Sequence, residues 1–152
     1  MIPTPPLAER LDRLIRFFET LSPATIPDFA THYGANARFK DPFNDVRGLP
    51  AVERIFSHMF EQLESPRFLI TGRYPGDGAS SADAMLRWEL RFKSRAMGRG
   101  EQCIVGSTLL TFDSDGRVAL HRDYWDASEE LFSKLPLIGP LTRALRRRLA
   151  SR

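Results

Sequence analysis

An aspartate lies between two ring systems in the stretch RVALHRDYWD, residues 117–126. Because successive side chains of a strand point to opposite faces, a strand here places His121, Asp123 and Trp125 on one face. The alternate residues, Val118, Leu120, Arg122 and Tyr124, then share the other face. A buried carboxylate is costly unless it is paired or used, which makes Asp123 a candidate functional residue. A structural ion pair with Arg87 across the sheet is the alternative interpretation.

A second candidate acid lies in RWELRF, where Arg87 and Glu89 alternate with apolar side chains. The apolar positions of this segment are Leu86, Trp88, Leu90 and Phe92. Such alternation is typical of a strand with one buried face and one solvated face. On this pattern alone, Arg87 and Glu89 face solvent and the Trp88 face lies in the core.

A third candidate carboxylate is Asp41, in FKDPF. Pro42 forces the residue before it into an extended conformation. One interpretation is therefore that Asp41 only terminates the strand. A functional carboxylate is the equal alternative. The histidines do not predict a metal site, because His32 and His58 fall on predicted helices and share no ligand spacing with His121.

The elements that must position these residues follow from hydrophobic periodicity. Apolar residues recur at helical spacing from Leu7 to Leu21, a short helix follows near 26–33, and a third helix covers GLPAVERIFSHMFEQLES. A short strand, NARFKDPF, precedes the third helix. After Pro66 the period changes to two, which predicts strands at about 67–74, 83–94, 101–112 and 117–125. The segments between these strands are PGDGASS, SRAMGRG and the hairpin turn DSDG. Helices followed by antiparallel strands predict an α+β fold, in which one layer of helices covers a strongly curved sheet.

The length of 152 residues fits a single domain over 1–152. With 42% hydrophobic and 27% charged residues, the composition is typical of a soluble globular protein. The sole cysteine, Cys103, excludes an intramolecular disulfide, and the first residues lack the apolar core of a secretory signal. We therefore expect a cytoplasmic protein.

Basic charge is concentrated at the C-terminus. Residues 131–152 carry six lysines and arginines and no acid, so the other 130 residues of this +3 chain sum to −3. This distribution argues against a nucleic-acid-binding body. Segment 136–152 is predicted as a basic amphipathic helix with Leu141, Leu145 and Leu149 on one stripe. We favour a cap on its own domain or on a partner subunit over contact with an anionic membrane surface.

The order of elements resembles that of the nuclear transport factor 2-like superfamily over nearly the whole chain. The resemblance is carried by YGANARFKDPFNDVRGLPAVERIFSHMF in the first half and by HRDYWD in the last strand. It implies a cone-shaped curved antiparallel sheet, wrapped by three N-terminal helices around an apolar pocket, with further helices at the C-terminus. It also implies a homodimer through the outer face of the sheet. Because ketosteroid isomerases, limonene epoxide hydrolases and SnoaL-like polyketide cyclases share this fold, function must be argued from the site.

In the ketosteroid isomerase group, the position matching Asp41 holds the general base. By the same resemblance, Phe17 and Thr108 stand where that group has the tyrosine and the protonated aspartate of its oxyanion hole. Phenylalanine cannot donate a hydrogen bond, and a threonine hydroxyl is a weak replacement. We therefore do not expect steroid isomerisation by that mechanism.

The limonene epoxide hydrolase group matches more of the candidate residues. Its catalytic aspartate, in WRDYFD, corresponds to Asp123, and its Arg-x-Asp pair corresponds to Arg87 and Glu89. The resemblance makes Asp123 the base, Glu89 the acid and Arg87 the bridge between them. Phe39 and Asp41 replace the Tyr-x-Asn pair that holds water in that group. The resemblance thus places Arg87, Glu89 and Asp123 in the pocket. It places the Trp88 face of the RWELRF strand at a dimer contact, whereas the alternation of that strand predicts that the Trp88 face lies in the core.

These patterns predict general acid–base chemistry, of hydrolase or isomerase type, on a mostly hydrophobic, oxygen-bearing small molecule. The predicted catalytic residues are Asp123, Glu89, Arg87 and Asp41. The predicted ligand-binding residues are Phe17, Tyr33, Phe39, Thr108, His121 and Trp125. We expect no cofactor, no metal and no nucleic acid. The alternative is a non-catalytic ligand-binding or regulatory module on the same fold.

Overall fold

The computed structural model describes residues 3–78 and 81–150 of the chain. Outside these ranges lie the first two residues of the predicted domain, residues 79–80 of the predicted turn PGDGASS, and residues 151–152 of the basic C-terminal segment.

Within the described ranges the chain forms five α-helices and six strands. The helices are α1 (Leu7–Glu19), α2 (Phe29–His32), α3 (Leu49–Gln62), α4 (Ala127–Glu130) and α5 (Gly139–Leu149). The strands are β1 (Tyr33–Lys40), β2 (Asp45–Arg47), β3 (Glu64–Pro75), β4 (Asp83–Lys93), β5 (Glu101–Phe112) and β6 (Val118–Tyr124). A 3₁₀ helix of six residues covers Pro23–Asp28, and single 3₁₀ turns cover Arg95–Met97 and Phe132–Lys134. The predicted α+β fold is confirmed.

The strands form one curved, unclosed sheet in the order β2-β1-β6-β5-β4-β3. Neighbouring strands are antiparallel, except that β1 and β6 run parallel. The expectation of a purely antiparallel sheet is wrong at this pair. The pairing joins strands from the two halves of the chain, and periodicity within a strand carries no information about its direction relative to a distant partner.

Helices α1 and α3 cover one face of the sheet with their apolar stripes. Helix α1 buries Leu11, Leu14, Phe17 and Phe18, and helix α3 buries Val52 and Phe56. Gly48 has a φ of 101° and carries the chain from β2 into α3, with Pro50 in the first turn. The core therefore lies between these helices and the concave side of the sheet.

Strand β4 decides between the two interpretations of its faces. Leu86, Trp88, Leu90 and Phe92 are all buried, whereas Arg87 is exposed and Glu89 is partly exposed. The alternation is correct, and the pocket-facing placement of Arg87 and Glu89 is wrong, as is the dimer contact through the Trp88 face. Burial of four large apolar side chains stabilises the fold, whereas burial of an arginine and a glutamate would carry a desolvation penalty.

Strand β6 contains a bulge that changes the face of one residue. Thr111 pairs with Leu120 and Phe112 pairs with Val118, so Ala119 is an extra residue in β6. Val118 is fully buried and belongs to the main core cluster, on the same side as His121. The prediction that placed Val118 on the opposite face is therefore wrong, because strict alternation does not survive a bulge.

Candidate functional site

The Asp123 carboxylate lies at the centre of a chain of hydrogen bonds. Its Oδ1 accepts a hydrogen bond from Thr108 Oγ1 at 2.5 Å and lies 2.7 Å from Nε2 of His121. The Asp123 side chain is 15% exposed, and that of His121 is 3% exposed. The sheet sets this geometry, because Thr108 is the direct cross-strand partner of Asp123 and His121 precedes Asp123 by two residues in β6.

Tyr33 holds His121 from behind, with its hydroxyl 2.7 Å from Nδ1 of the imidazole. Burial, and to a lesser extent the Asp123 carboxylate, raise the pKa of Tyr33 well above its ordinary value. The hydroxyl therefore stays protonated and donates a hydrogen bond to Nδ1. A neutral imidazole then carries its own proton on Nε2, from which it donates to Asp123; this assignment follows from the hydrogen-bond network.

Thr108 is oriented in turn by Trp88. The indole Nε1 donates to Thr108 Oγ1 at 2.8 Å, which leaves the hydroxyl proton of Thr108 for Asp123. Gly106 is the cross-strand partner of Trp88, and a Cβ at this position would clash with the indole ring. The glycine thus marks a place where a large side chain lies directly against the backbone of β5.

The second oxygen of Asp123 is left available. In residues 3–78 and 81–150, no donor hydrogen-bonds to Oδ2, and no lysine or arginine forms an ion pair with the carboxylate. The charge is therefore held by hydrogen bonds to one oxygen alone. A mostly buried carboxylate without a cation is expensive, and its free oxygen is suited to accept a proton from a bound molecule.

Asp123 lines a polar cavity of about 610 Å³ with Arg122 and Asp126, and two further cavities that share Phe56, Phe68 and Trp88. Of these two further cavities, the larger has a volume of about 760 Å³, and its apolar wall includes Phe39, Phe56, Met59, Phe68, Trp88, Leu90 and Ile104. The smaller, of about 20 Å³, lies against Asp123, Thr108, His121 and Phe18, and is large enough for one water molecule. A mostly hydrophobic ligand in the larger cavity would meet the carboxylate as a charged group in an apolar wall.

Helix α3 supplies one whole side of the larger cavity. Residues at helical spacing face it, namely Ala51, Arg54, Ile55, His58, Met59 and Gln62. The side chains of Arg54 and Gln62 make no hydrogen bond to the part of the chain that the structure describes. Their donors are available to an oxygen atom of a ligand.

The structure does not bring Arg87 and Glu89 to Asp123. Arg87 Nε donates to Thr71 Oγ1 at 3.1 Å, and Glu89 pairs with Arg91 at 2.8 Å on the outer face of the sheet. The arrangement of base, bridging arginine and acid that the resemblance implies is therefore not formed. The physical reason is the alternation of β4, which turns these two side chains away from the Trp88 face.

Asp41 closes the turn between β1 and β2. Its carboxylate accepts from the backbone N–H groups of Phe43 at 2.8 Å and Asn44 at 2.6 Å, and from the Asn44 side-chain amide at 3.0 and 3.1 Å. Although Asp41 lies at the wall of the larger cavity, both of its oxygens serve the turn. The geometry agrees with the interpretation of Asp-Pro as a strand terminator.

Four of the predicted ligand-binding residues line a cavity: Phe39 and Trp125 the larger one, Thr108 and His121 the smaller one. Phe17 lines neither of the two, because it packs into the core with ring centroids 4.8 Å from Phe29 and 4.5 Å from His32. The neighbouring Phe18 takes its place, 5.9 Å from the ring of His121.

Tyr33 also lines neither cavity, since it is 1% exposed and lies behind His121. Its expected place in the pocket wall is therefore corrected to a place behind the site.

Sequence reasoning missed two groups at the site. Trp88 was assigned to the core or to a dimer contact, yet its N–H supports Thr108. Phe18, Phe56 and Phe68 surround the smaller cavity and were not singled out. The spacing Leu14–Phe18 in α1 and the alternation around Trp88 were the signals that could have found them. Across the described residues, no cluster of three or more His, Cys, Asp or Glu side chains has the arrangement of a metal site.

A helix-covered curved sheet of this topology defines the class of α+β proteins called nuclear transport factor 2-like. Within that class, the chain belongs to the SnoaL-like domain family, whose model matches residues 14–121. Proteins of this fold include isomerases, cyclases and epoxide hydrolases. No curated protein matches the chain.

Solved structures agree with the fold at low sequence identity. A Catenulispora acidiphila protein with a ketosteroid isomerase-like fold, solved with trimethylamine, is 13% identical with a TM-score of 0.69, over 90% of this chain and 97% of that one. A candidate SnoaL-like polyketide cyclase from a Jannaschia species is 13% identical with a TM-score of 0.66, over 83% and 91%. An M. tuberculosis LEH-like epoxide hydrolase is 15% identical with a TM-score of 0.61, over 95% and 94%. At these identities the likeness shows the fold alone.

Proposed function

We propose that this protein is an enzyme of isomerase or cyclase type that abstracts a proton from a carbon atom next to a carbonyl group in a mostly hydrophobic ligand. One observation carries the proposal: two donors fix Oδ1 of Asp123, Oδ2 has no hydrogen-bond partner among the described residues, and Asp123 lines a mostly apolar cavity. An ionised carboxylate with a free oxygen in such surroundings has the properties of a general base.

The proton balance of this step requires no second reactant. The proton moves from the ligand carbon to Oδ2 of Asp123, and the electron pair of the broken C–H bond is delocalised onto the carbonyl oxygen. The same carboxyl group then returns the proton to a different atom of the ligand. In a cyclisation, the enolate carbon instead attacks a second carbonyl carbon, and the proton goes to the oxygen that becomes a hydroxyl.

The supporting residues hold the base in place. His121 and Thr108 fix Oδ1, and Tyr33 and Trp88 fix those two groups in turn. This chain of hydrogen bonds leaves the carboxylate little freedom to rotate, which is what a positioned base requires. Arg54 and Gln62 on α3 are the donors we assign to the ligand oxygen that becomes negative.

Hydrolysis of an epoxide is less well supported. That chemistry needs an acid to protonate the opening oxygen, and the residues the resemblance offers for it, Glu89 and Arg87, lie on the outer face of β4. The smaller cavity has room for a water molecule beside Asp123, but the described site residues include no second carboxyl group with a free oxygen. Proton transfer on carbon needs only the base that is present.

Hydrogen–deuterium exchange tests the proposal without knowledge of the natural substrate. The protein is incubated in D₂O with a panel of hydrophobic ketones and β-diketones, and deuterium at the carbon next to the carbonyl is followed by NMR. We expect catalysed exchange for at least one probe, and a loss of about 10²- to 10⁴-fold in Asp123→Asn.

Glu89→Gln is the matched control, because it neutralises a carboxylate on the other face of the sheet. Exchange in this variant should equal that of the wild type. If a probe binds tightly, as measured by calorimetry, but no probe exchanges, the protein is a binding module and the proposal is wrong. Loss of exchange in Glu89→Gln would restore the acid role that the resemblance implies.

A further inference from the structure

The C-terminal helix α5 leaves its apolar residues uncovered. Leu141, Leu145 and Leu149 recur at a spacing of four and are 71%, 56% and 77% exposed. Leu137, just before the helix, is 90% exposed. The prediction that this segment caps its own domain is therefore wrong within the described chain, because a cap would bury these leucines.

Polar contacts hold α5 to the preceding helix α4 and the 3₁₀ turn at Phe132–Lys134, while its leucines remain exposed. Arg143 donates to the carbonyl oxygen of Ser133, and Arg146 lies 3.6 Å from Glu129. The polar side of the helix is therefore anchored. These two contacts fix the orientation of α5 in which the leucine stripe is exposed.

The charge of α5 is of one sign. Gly139–Leu149 contains Arg143, Arg146, Arg147 and Arg148 and no acid. The residues that the structure describes provide no ion-pair partner for Arg147 or Arg148. A leucine stripe flanked by arginines is the pattern of a helix that lies in the surface of an anionic bilayer.

Helix α5 begins four residues after Leu135, which lines the larger cavity. Leu131 and Leu135 line that cavity, and Leu137 follows two residues later. Phe43, 56% exposed, also lines this cavity, with its ring centroid 6.2 Å from that of Phe132. The exposed apolar surface is therefore continuous along the chain from the cavity wall to the leucines of α5.

We propose that α5 docks on an anionic membrane surface, with its leucines in the interface and Arg147 and Arg148 near the lipid headgroups, which brings the larger cavity close to the bilayer. The ligands of the cavity would then be molecules dissolved in the membrane. None of the described helices is long and apolar enough to cross a membrane, so this is contact with the surface only. The docking stands whether or not Asp123 is a catalytic base.

A second copy of the chain is the competing occupant of the leucine stripe. Packing α5 against itself about a two-fold axis would bring the arginines of both copies together, and like charges at such a contact are unfavourable. An anionic surface instead attracts the same residues. Charge complementarity therefore favours the membrane.

Vesicle flotation of the full chain tests the docking. The probes are phosphatidylcholine vesicles with and without phosphatidylglycerol. We expect binding only to the anionic vesicles, weakened about fivefold for each arginine removed in Arg147→Gln and Arg148→Gln. The double variant Leu141→Ser/Leu145→Ser should lose binding by about tenfold or more.

Tyr74→Ser is the matched control for the leucines, because Tyr74 on β3 is 54% exposed, close to the 56% of Leu145. It should bind as the wild type does, and circular dichroism should show that all variants are folded. Absence of binding to anionic vesicles, or binding that the leucine variants do not weaken, would overturn the proposal. So would a wild-type oligomer that the leucine variants dissociate while no vesicle binds, since the stripe would then cover a second copy.

Discussion

At the scale of single residues, the contacts of Asp123 determine what its substitution should do. Asparagine keeps an oxygen that accepts from Thr108 and His121, while the mostly buried negative charge disappears. We therefore expect the Tm of Asp123→Asn at neutral pH to hold or to rise by about 3 °C, which corresponds to about 1 kcal/mol in a chain of this size. Thermal unfolding followed by circular dichroism measures it.

Asp45→Asn is the control for this prediction. Asp45 is an exposed carboxylate paired with Arg38 at 2.8 Å, and the hydrogen bond from Arg38 lowers its pKa. Exposed pairs of this kind contribute little to stability, so its Tm should fall only slightly. A fall of several degrees in Asp123→Asn would instead show that Asp123 is structural, and the assignment as a base would be withdrawn.

Tyr33 gives a prediction about alkaline stability. Its pKa is raised in the folded state by burial and by Asp123. Above about pH 10 the unfolded chain loses this phenolic proton while the folded chain keeps it. The free energy of unfolding therefore falls as pH rises, by about 1.4 kcal/mol per pH unit from this group, and the contribution is fully present only below about pH 10.

Tyr33→Phe should remove that part of the pH dependence. Urea unfolding of both proteins between about pH 8 and pH 11 compares the two slopes, and the variant should lose stability less steeply above about pH 10. The variant should also be less stable at neutral pH, because His121 loses its donor. Parallel curves would mean that the Tyr33 hydroxyl ionises as readily in the folded chain as in the unfolded one.

At the scale of elements, Gly106 in β5 provides the space that the Trp88 side chain of β4 needs to reach the site. The indole of Trp88 lies against the backbone at this glycine and from there reaches Thr108. Gly106→Ala should displace the indole, lower the free energy of unfolding by about 1–3 kcal/mol, and break the Trp88–Thr108 hydrogen bond. Urea unfolding and tryptophan fluorescence measure both effects.

Ser107→Ala provides the comparison, because Ser107 is the next residue of β5 and so points to the opposite face of the sheet. Its stability and fluorescence should stay close to those of the wild type. If Gly106→Ala proves equally neutral, the indole does not depend on the space at Gly106.

At the scale of the whole molecule, the outer face of the sheet remains the predicted dimer contact. With the Trp88 face buried, the exposed apolar residues of the described strands are Tyr74, Met85, Val105 and Tyr124, which are 54%, 37%, 47% and 44% exposed. We predict that Val105→Glu reduces the mass in solution from dimer to monomer, because it places a charge in the centre of the contact. Light scattering measures the mass, with Leu137→Glu as the control, because Leu137 is 90% exposed and lies outside the sheet. A monomeric wild type would contradict the prediction.

The sequence predicted most elements because their apolar periods are local. The segment GLPAVERIFSHMFEQLES formed α3 at Leu49–Gln62, and the strand predicted at 101–112 formed as β5 at Glu101–Phe112. β2, only three residues long, was not predicted, since so short a strand has no visible period. The parallel pairing of β1 with β6 depends on contacts between distant segments, which local patterns do not contain.

For the site, the sequence by itself determined which side chains share a face. Alternation put His121, Asp123 and Trp125 together in β6, and it separated Arg87 and Glu89 from the face of Trp88, against the resemblance. Both outcomes follow from the two-residue period of a strand, which fails in β6 only before the bulge, at Val118.

Only the tertiary structure decided what those faces meet. Tyr33, at the start of β1, reaches His121 because β1 lies beside β6, and Trp88 reaches Thr108 because β4 lies beside β5. The sequence allowed Asp41 to be either a functional carboxylate or a strand terminator. In the structure its carboxylate accepts hydrogen bonds from the turn that follows β1. These contacts depend on which distant segments pack together. That packing is determined by the burial of all the apolar faces together, so no single segment predicts it.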